Sequence, residues 1–430
     1  MNRIFLSFLG LGSFKREKDK YEYDPIIYEL NGQKSKETEF VQVAEIETLG
    51  AEQFDKIVIV ATQRSYDSHF ANLREQLRIA GAKNILHIII GEEMSSEGQW
   101  RWLERILDFI DPGDQLTVDL THGYRSIPIV FSAAINFLQK AKNVILHSVL
   151  YGAYDKAKDL GFAPIVDMKD FYIINEWADA VSRLVEDADV RKMAQVAEKT
   201  SGFQAGELND QAIVRAFQDL TNTVRNVDVN SIGEKANTAL RLIEAKEKEA
   251  STTGKILLKL VMDKFTSITT DEPMSGKYDQ PYFMLQLEII SLLLEHKLFM
   301  QAYTVMREFI GSIGMIEKAK VRSAEGRKRR RRFAEVFVSM MQFPENEWDF
   351  KGQAKVDRGK LMPYYNKLKT LGIESILREF SNDLTDYRNG FDHAWTLKGQ
   401  APEDIDERGA VFFKKLDEVI QRLLENGVLH

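Results

Sequence analysis

The sequence has no cysteine at any of its 430 positions. That excludes disulfides, thiolate catalysis, cysteine-bearing zinc sites and iron–sulfur clusters. It fits a chain that works in a reducing cytoplasm. Proline is scarce, at 9 residues, and glycine is ordinary, at 26, which does not suit collagen-like or long disordered character. No stretch reaches about 18 apolar residues, so no transmembrane helix and no membrane partner is expected. Met1 to Phe14 places Arg3 ahead of an apolar run and loosely mimics a signal peptide. It lacks an Ala-x-Ala-like cleavage site and leads into Lys15-Arg16-Glu17-Lys18-Asp19-Lys20, so it reads as a buried first strand. His69, His87, His147, His296 and His430 show no metal-ligand spacing, and no metal site is expected. Basic residues are also in deficit, 58 against 65 acidic, for a net charge of −7. As a whole-chain number that does not announce a nucleic-acid binder.

What is present falls into two kinds of periodicity. Residues 1–150 alternate short Val- and Ile-rich runs with helical patterns. The runs are Ile4–Phe8, Lys56–Val60, Ile85–Ile90, Gln115–Leu120 and Val144–Leu150. Between them lie helix patterns at Glu37–Leu49, Tyr66–Ala80, Gln99–Ile110 and Pro128–Gln139. Such alternation predicts a Rossmann-like parallel sheet with helices on both faces, whose ligands bind outside the carboxyl ends of the strands. Tyr21–Tyr28 followed by Asn31-Gly32 predicts an inserted hairpin or loop. From about Phe171 long helical patterns take over: Ile174–Glu186, Ala212–Arg225, Ile232–Glu249, Lys255–Phe265, Phe283–Ile310, Ile373–Trp395 and Ile405–Leu424. Turn-rich joints fall at Thr200–Asn209 and Thr269–Asp279. The expected class is α/β plus all-α, divided into a ligand-sensing domain (1–165), a helical connector (166–275) and a C-terminal helical domain (276–430).

The segment Asp119-Leu120-Thr121-His122-Gly123-Tyr124-Arg125-Ser126-Ile127-Pro128 follows a strand and opens a helix. Ser126 suits an N-cap and Pro128 the first helical turn. Thr121, His122, Gly123, Arg125 and Ser126 together offer backbone N–H groups, hydroxyls and a guanidinium, the parts that hold phosphate. The same residues also suit an ordinary strand-to-helix turn with a capping serine. Gly10, Gly12 and Ser13 after the first strand, and Thr62 and Arg64 after the second, form two similar loops. The glycine pair lacks the third glycine of a dinucleotide fingerprint, and no Walker loop is present. A phosphate-bearing ligand other than a conventional NAD or ATP is therefore expected.

In the last domain Ile376, Phe380, Leu384, Tyr387, Phe391 and Trp395 form an apolar stripe at helical spacing. His393 and Asn389 fall on the far face and are i,i+4 neighbours. Arg388 fits that face less well and also suits an ion pair with Asp392. Gly390 inside a helix needs a reason, and close approach of a partner helix is one. Upstream, Lys318–Arg332 carries nine basic residues in fifteen, Arg329, Arg330, Arg331 and Arg332 among them. Such a run suits either RNA phosphates or a solvated face.

Taken in order, Phe8-Leu9-Gly10-Leu11-Gly12, Thr38-Glu39-Phe40-Val41-Gln42, Asp119-x-Thr121-His122-Gly123-x-Arg125-Ser126 and Arg388-Asn389-x-x-x-His393 resemble the CARF–HEPN ribonucleases of type III CRISPR systems. The resemblance implies a CARF domain that dimerises and binds a cyclic oligoadenylate, with cyclic tetra-adenylate favoured, through the three loops. It implies a C-terminal HEPN domain that cuts single-stranded RNA without metal at a composite site in a homodimer or a higher homo-oligomer of dimers. Arg388, Asn389 and His393 would be catalytic, Arg329–Arg332 would guide RNA, and no cofactor is implied beyond the activator. The alternative is a nucleotide-sensing regulator whose helical domain binds a protein or nucleic acid without cutting it.

Overall fold

The computed structural model describes residues 1–93, 95–123, 127–199, 209–274, 276–318, 324–396 and 399–430. Arg125 and Ser126, the side chain of Arg329 and most of the joint expected at Thr200–Asn209 lie outside the described residues. The chain divides into two compact units, Met1–Asn175 and Glu176–His430.

The first unit is built on β1 (Arg3–Leu9), β2 (Ser13–Lys15), β3 (Lys20–Glu22), β4 (Tyr28–Leu30), β5 (Gln33–Lys34), β6 (Lys56–Thr62), β7 (Ile85–Ile90), β8 (Gln115–Asp119), β9 (Ile145–Gly152) and β10 (Ala163–Asp167). The main sheet has the order β5-β4-β10-β9-β8-β1-β6-β7. Its contiguous run β9-β8-β1-β6-β7 is parallel. β1 is buried on both faces because alternate side chains serve opposite cores. Ile4, Leu6 and Phe8 pack with Trp102, Ile106, Phe131 and Leu138 of the Ser96–Asp108 and Ile127–Ala141 helices. Phe5 and Leu9 pack with Val43, Ile46, Leu73 and Leu77 of the Val41–Leu49 and Ala71–Ile79 helices.

Three local features depart from the sequence pattern. The sheet is mixed rather than wholly parallel: β10 runs antiparallel to β9, and β4 and β5 extend it as an antiparallel hairpin. That hairpin turns at Asn31-Gly32, both at positive φ, the geometry a two-residue primed turn needs. The first helix starts at Val41 rather than Glu37, because Thr38 is held in a β-bridge to Ile26. After β6 the chain forms a short turn of helix at Gln63–Ser65, then a π turn at Tyr66–Phe70, before the Ala71–Ile79 helix. The π turn carries His69, whose Nε2 meets the Leu11 carbonyl oxygen at 3.0 Å.

The second unit is all helical among the described residues. The pattern read as one helix over Phe283–Ile310 is two, Gln280–Glu295 and Phe299–Ile313. The apolar period runs through the break, which contains neither glycine nor proline. Lys297 takes a left-handed φ of 53° there, and Leu298 N–H donates back to the Leu293 carbonyl. Helices also occupy Ala324–Gln342 and Gly352–Thr370. Tyr303 anchors the centre of this unit, with its ring against Tyr387, Phe391 and Phe412. Among the described residues no helix is long and apolar enough to cross a membrane.

Candidate functional site

In the first unit β1 leads to β6 and β7 on one side, while β8 and β9 lie on the other. The strand order therefore reverses between β1 and β8, and a crevice opens above their carboxyl ends. Beside it, over the carboxyl ends of β1 and β6, Gly10, Leu11, Thr62, Arg64 and Ser65 line a cavity of about 400 Å³, with Leu9, Val60 and Ile90 at its apolar wall and Gly123 reaching it from the loop after β8. Residues from all three expected loops thus meet around one space.

Not every expected contact faces it. A side chain at Gly10 would press on the Tyr23 hydroxyl at 3.1 Å, and one at Gly12 would strike the Glu22 carbonyl at 2.5 Å. Gly12, at φ +73°, thus serves the close return of the β2–β3 hairpin, and Ser13 begins that hairpin as an exposed residue. The Thr121 hydroxyl is engaged internally: it donates to Asp119 and accepts from the Gly152 N–H at 2.7 Å. Thr62 caps the Gln63–Ser65 turn reciprocally with Ser65. The half-buried His122 sets its ring edge-on to Tyr23, with centroids 5.1 Å apart, and its buried Nε2 has no hydrogen-bond partner. Burial pushes its pKa down, with the Asp119 charge pulling the other way.

Two buried carboxyl groups bear on this part of the unit: Asp119, which the sequence motif contains without a role, and Glu45, which the sequence reading missed. Asp119 is fully buried at the end of β8 and accepts from the Ser7 hydroxyl at 2.6 Å and the Thr121 N–H at 2.8 Å. Glu45 is fully buried in the Val41–Leu49 helix, and both its oxygens lack a hydrogen-bond partner. Burial raises both pKa values, Glu45 well above the ordinary range, with the Asp119 charge adding to it. Burial without a hydrogen-bond partner thus favours the neutral form of Glu45. The signal available was a charged residue on the apolar side of VQVAEIETL.

In the second unit Arg388 and Asn389 lie near the end of the Ile373–Asp392 helix, and His393 follows as its exposed C-cap. The expected helix to Trp395 is cut short. Ala394 and Trp395 take positive φ, and the Trp395 N–H turns back to the Gly390 carbonyl at 2.7 Å. The Trp395 ring then lies against the Cα of Gly390, where any side chain would collide with it. Gly390 thus makes room for this chain's own tryptophan. Arg388 Nη1 pairs with Asp392 and donates to the Asn389 side-chain oxygen at 3.4 Å. The His393 N–H donates to the Asn389 carbonyl at 3.0 Å. Arg388 and Asn389 are linked through their side chains, and the exposed His393 stands beside them at the helix end.

The basic run is divided by the Ala324–Gln342 helix. Arg332 Nε donates to Asp357, a fully buried carboxylate that Gln353 also contacts at 3.2 Å. The Arg330 guanidinium lies against Gly276, while Arg331 is exposed. Among the described residues no group of three or more His, Asp or Glu side chains stands close enough to hold a metal ion.

No protein-family model matches the chain. It is 21% identical over 359 residues to CRISPR-associated protein MJ1674 of Methanocaldococcus jannaschii, an alignment covering 72% of this chain and 53% of that protein. The chain spans about half the length of the curated relative it matches.

Proposed function

We infer that this chain is a metal-independent single-stranded RNA endoribonuclease, activated by a cyclic oligoadenylate and acting in CRISPR defence. Residues 1–165 would be the CARF sensor, 166–275 the connector and 276–430 the HEPN nuclease. The observation that carries the reading is the placement of Arg388, Asn389 and a solvent-exposed His393 at one helix end, with Arg388 in contact with Asn389. The cavity at the carboxyl ends of β1 and β6, where the three loops meet, and the similarity to a CRISPR-associated protein support the sensor and its setting.

RNA carries its own nucleophile, the 2′-hydroxyl, and holding it in line with the scissile phosphate removes orientational freedom from the barrier. His393 takes or returns the proton, the part an imidazole plays as a general acid or base. Arg388, always charged, faces the negative charge that develops on the phosphorane oxygens. Asn389 holds the guanidinium or the phosphate in register. The P–O5′ bond breaks, and a 2′,3′-cyclic phosphate and a 5′-hydroxyl result. Two copies of this cluster, one per subunit of a homodimer, would complete the site. The Arg388–Asp392 pair favours a second reading, a nucleotide-sensing regulator that binds without cutting, because a carboxylate of this chain already engages the Arg388 guanidinium.

The test is to incubate the protein with labelled single-stranded RNA and each cyclic oligoadenylate size, with EDTA present. Cleavage with cyclic tetra-adenylate is expected, and His393→Ala abolishes it while leaving oligoadenylate binding intact. Cleavage that persists in purified His393→Ala sinks the role assignment, and no cleavage with any ring size favours the regulator.

A further inference from the structure

The cavity at the crevice continues outward past β6. A second cavity of about 560 Å³ adjoins it, and Arg64, Ile90 and Glu92 line both. It lies over the carboxyl ends of β6 and β7, and the Ser96–Asp108 helix closes it with Arg101, Trp102 and Arg105. Arg101 and Arg105 are one helical turn apart and share a face. Three guanidinium groups therefore meet around one space.

None of the three is held by a buried partner. Arg64 is exposed and lies over the Tyr21 ring at 5.8 Å, and among the described residues no carboxylate pairs with it. Arg105 gives one N–H to the Ile89 carbonyl at 2.7 Å, which fixes the group at the end of β7 and leaves the rest of its fork available. Arg101 pairs with Glu93, but the two side chains are 62% and 57% exposed, so solvent competes for the pair. The two cavities differ in character. The inner one has Leu9, Leu11, Val60 and Ile90 in its walls, which suits the flat apolar faces of a base. The outer one has the planar forks that bind phosphate at two points. Glu92 at the junction offers an acceptor to a ribose hydroxyl. The carboxyl ends of β1 and β7 are two strand spacings apart, about 10 Å, a span comparable to one nucleotide.

We propose that the two cavities are one cleft with two subsites, and that Arg64, Arg101 and Arg105 hold a phosphate of a nucleotide whose base occupies the inner one. This rests on the reading of the first unit as a nucleotide sensor. It adds where the ligand's charge is held: on a helix face over β7, outside the three loops that the sequence motifs single out.

The full-length protein and an Arg101→Ala/Arg105→Ala variant are titrated with adenosine, ADP and cyclic tetra-adenylate by calorimetry. Both arginines are exposed, so the variant folds. The affinity for ADP or cyclic tetra-adenylate is expected to fall tenfold or more in the variant, with the difference shrinking as salt rises, while adenosine is affected little. Equal affinity in the two proteins for the nucleotides that bind overturns the proposal, and so does failure of the unaltered protein to bind either nucleotide. The ribonuclease reading fails separately. Arginine-dependent nucleotide binding without RNA cleavage keeps the cleft and removes the nuclease. Activation by cyclic tetra-adenylate that is undiminished in the variant does the reverse.

Discussion

Arg331 and Arg332 are adjacent in the basic run yet have opposite tasks. Arg332 neutralises Asp357, whose side chain is fully buried, so Arg332→Ala leaves a carboxylate without its cation. With Arg332 itself partly exposed, a loss of about 2–3 kcal/mol in urea unfolding is expected. Arg331→Ala should change stability by no more than about 0.5 kcal/mol. If Arg331 touches RNA, its removal lowers the slope of log affinity against log salt by about one unit. Equal stability of the two variants would remove the structural role given to Arg332. The sequence reading found the run and could not apportion it, because the partner Asp357 comes from another helix 25 residues on. The candidate site was legible to the same depth. Gly10, Thr62, Arg64 and Gly123 do meet around one cavity. Thr121 shares their chemistry but is taken up by Asp119 and Gly152, partners that only the folded sheet supplies.

At the scale of elements, the Val- and Ile-rich strand runs were the clearest text, and the run Ile85–Ile90 coincides with β7 even though that edge strand is only partly buried. β10 was missed because Ala-Pro-Ile-Val-Asp is short and carries a proline, and its pairing is set by β9 and β4 rather than by its own period. The break at Lys297 was missed for the opposite reason, since its local sequence is all helix-forming and tertiary packing decides the turn. The Ile127–Ala141 helix carries an outward row of Ile129, Ala133 and Phe137 at i, i+4 and i+8, with Ile129 75% and Phe137 54% exposed. An apolar row on one helix suits an isologous contact with the same helix of a second copy. If this row joins two copies, the unaltered protein sediments as a dimer and Ile129→Lys/Phe137→Lys as a monomer, with the helical signal in circular dichroism kept. A variant that still sediments as a dimer would move the interface elsewhere.

At the scale of the whole molecule, the two units should respond to acid in opposite senses through two buried groups. His296 is buried at the end of the Gln280–Glu295 helix, its Nε2 3.1 Å from the Val185 carbonyl oxygen. Burial, reinforced by the charge of Lys264, lowers its pKa to about 4 from 6.5. The unfolded chain takes up that proton first, so stability is lost as pH falls from about 6.5 toward 4, by on the order of 3 kcal/mol at the lower end. Glu45 works the other way. Its raised pKa means that the folded chain keeps a proton the unfolded chain releases, so its contribution is greatest in acid and is lost as pH rises. Hydrogen exchange at pH 6.5 and 4.5 reads the two units separately. Against the unaltered protein, His296→Gln should reduce the acid loss in Glu176–His430, and Glu45→Gln should reduce the acid gain in Met1–Asn175. Unchanged pH slopes in both variants would refute the assignment. The net charge of −7 conceals this division as it conceals the basic run.

The π turn at Tyr66–Phe70 has a consequence for descent. A π turn lodges one residue more than a regular helix would over the same length, and here the surplus brings the His69 Nε2 to the Leu11 carbonyl, beside the glycine loop after β1. Deleting one residue from this stretch would restore an ordinary helix and rotate everything before it by about 100°, carrying the imidazole away from that carbonyl. Relatives with a regular helix here should therefore align with a one-residue gap between Arg64 and Leu73, and they should lack a histidine that reaches the first loop.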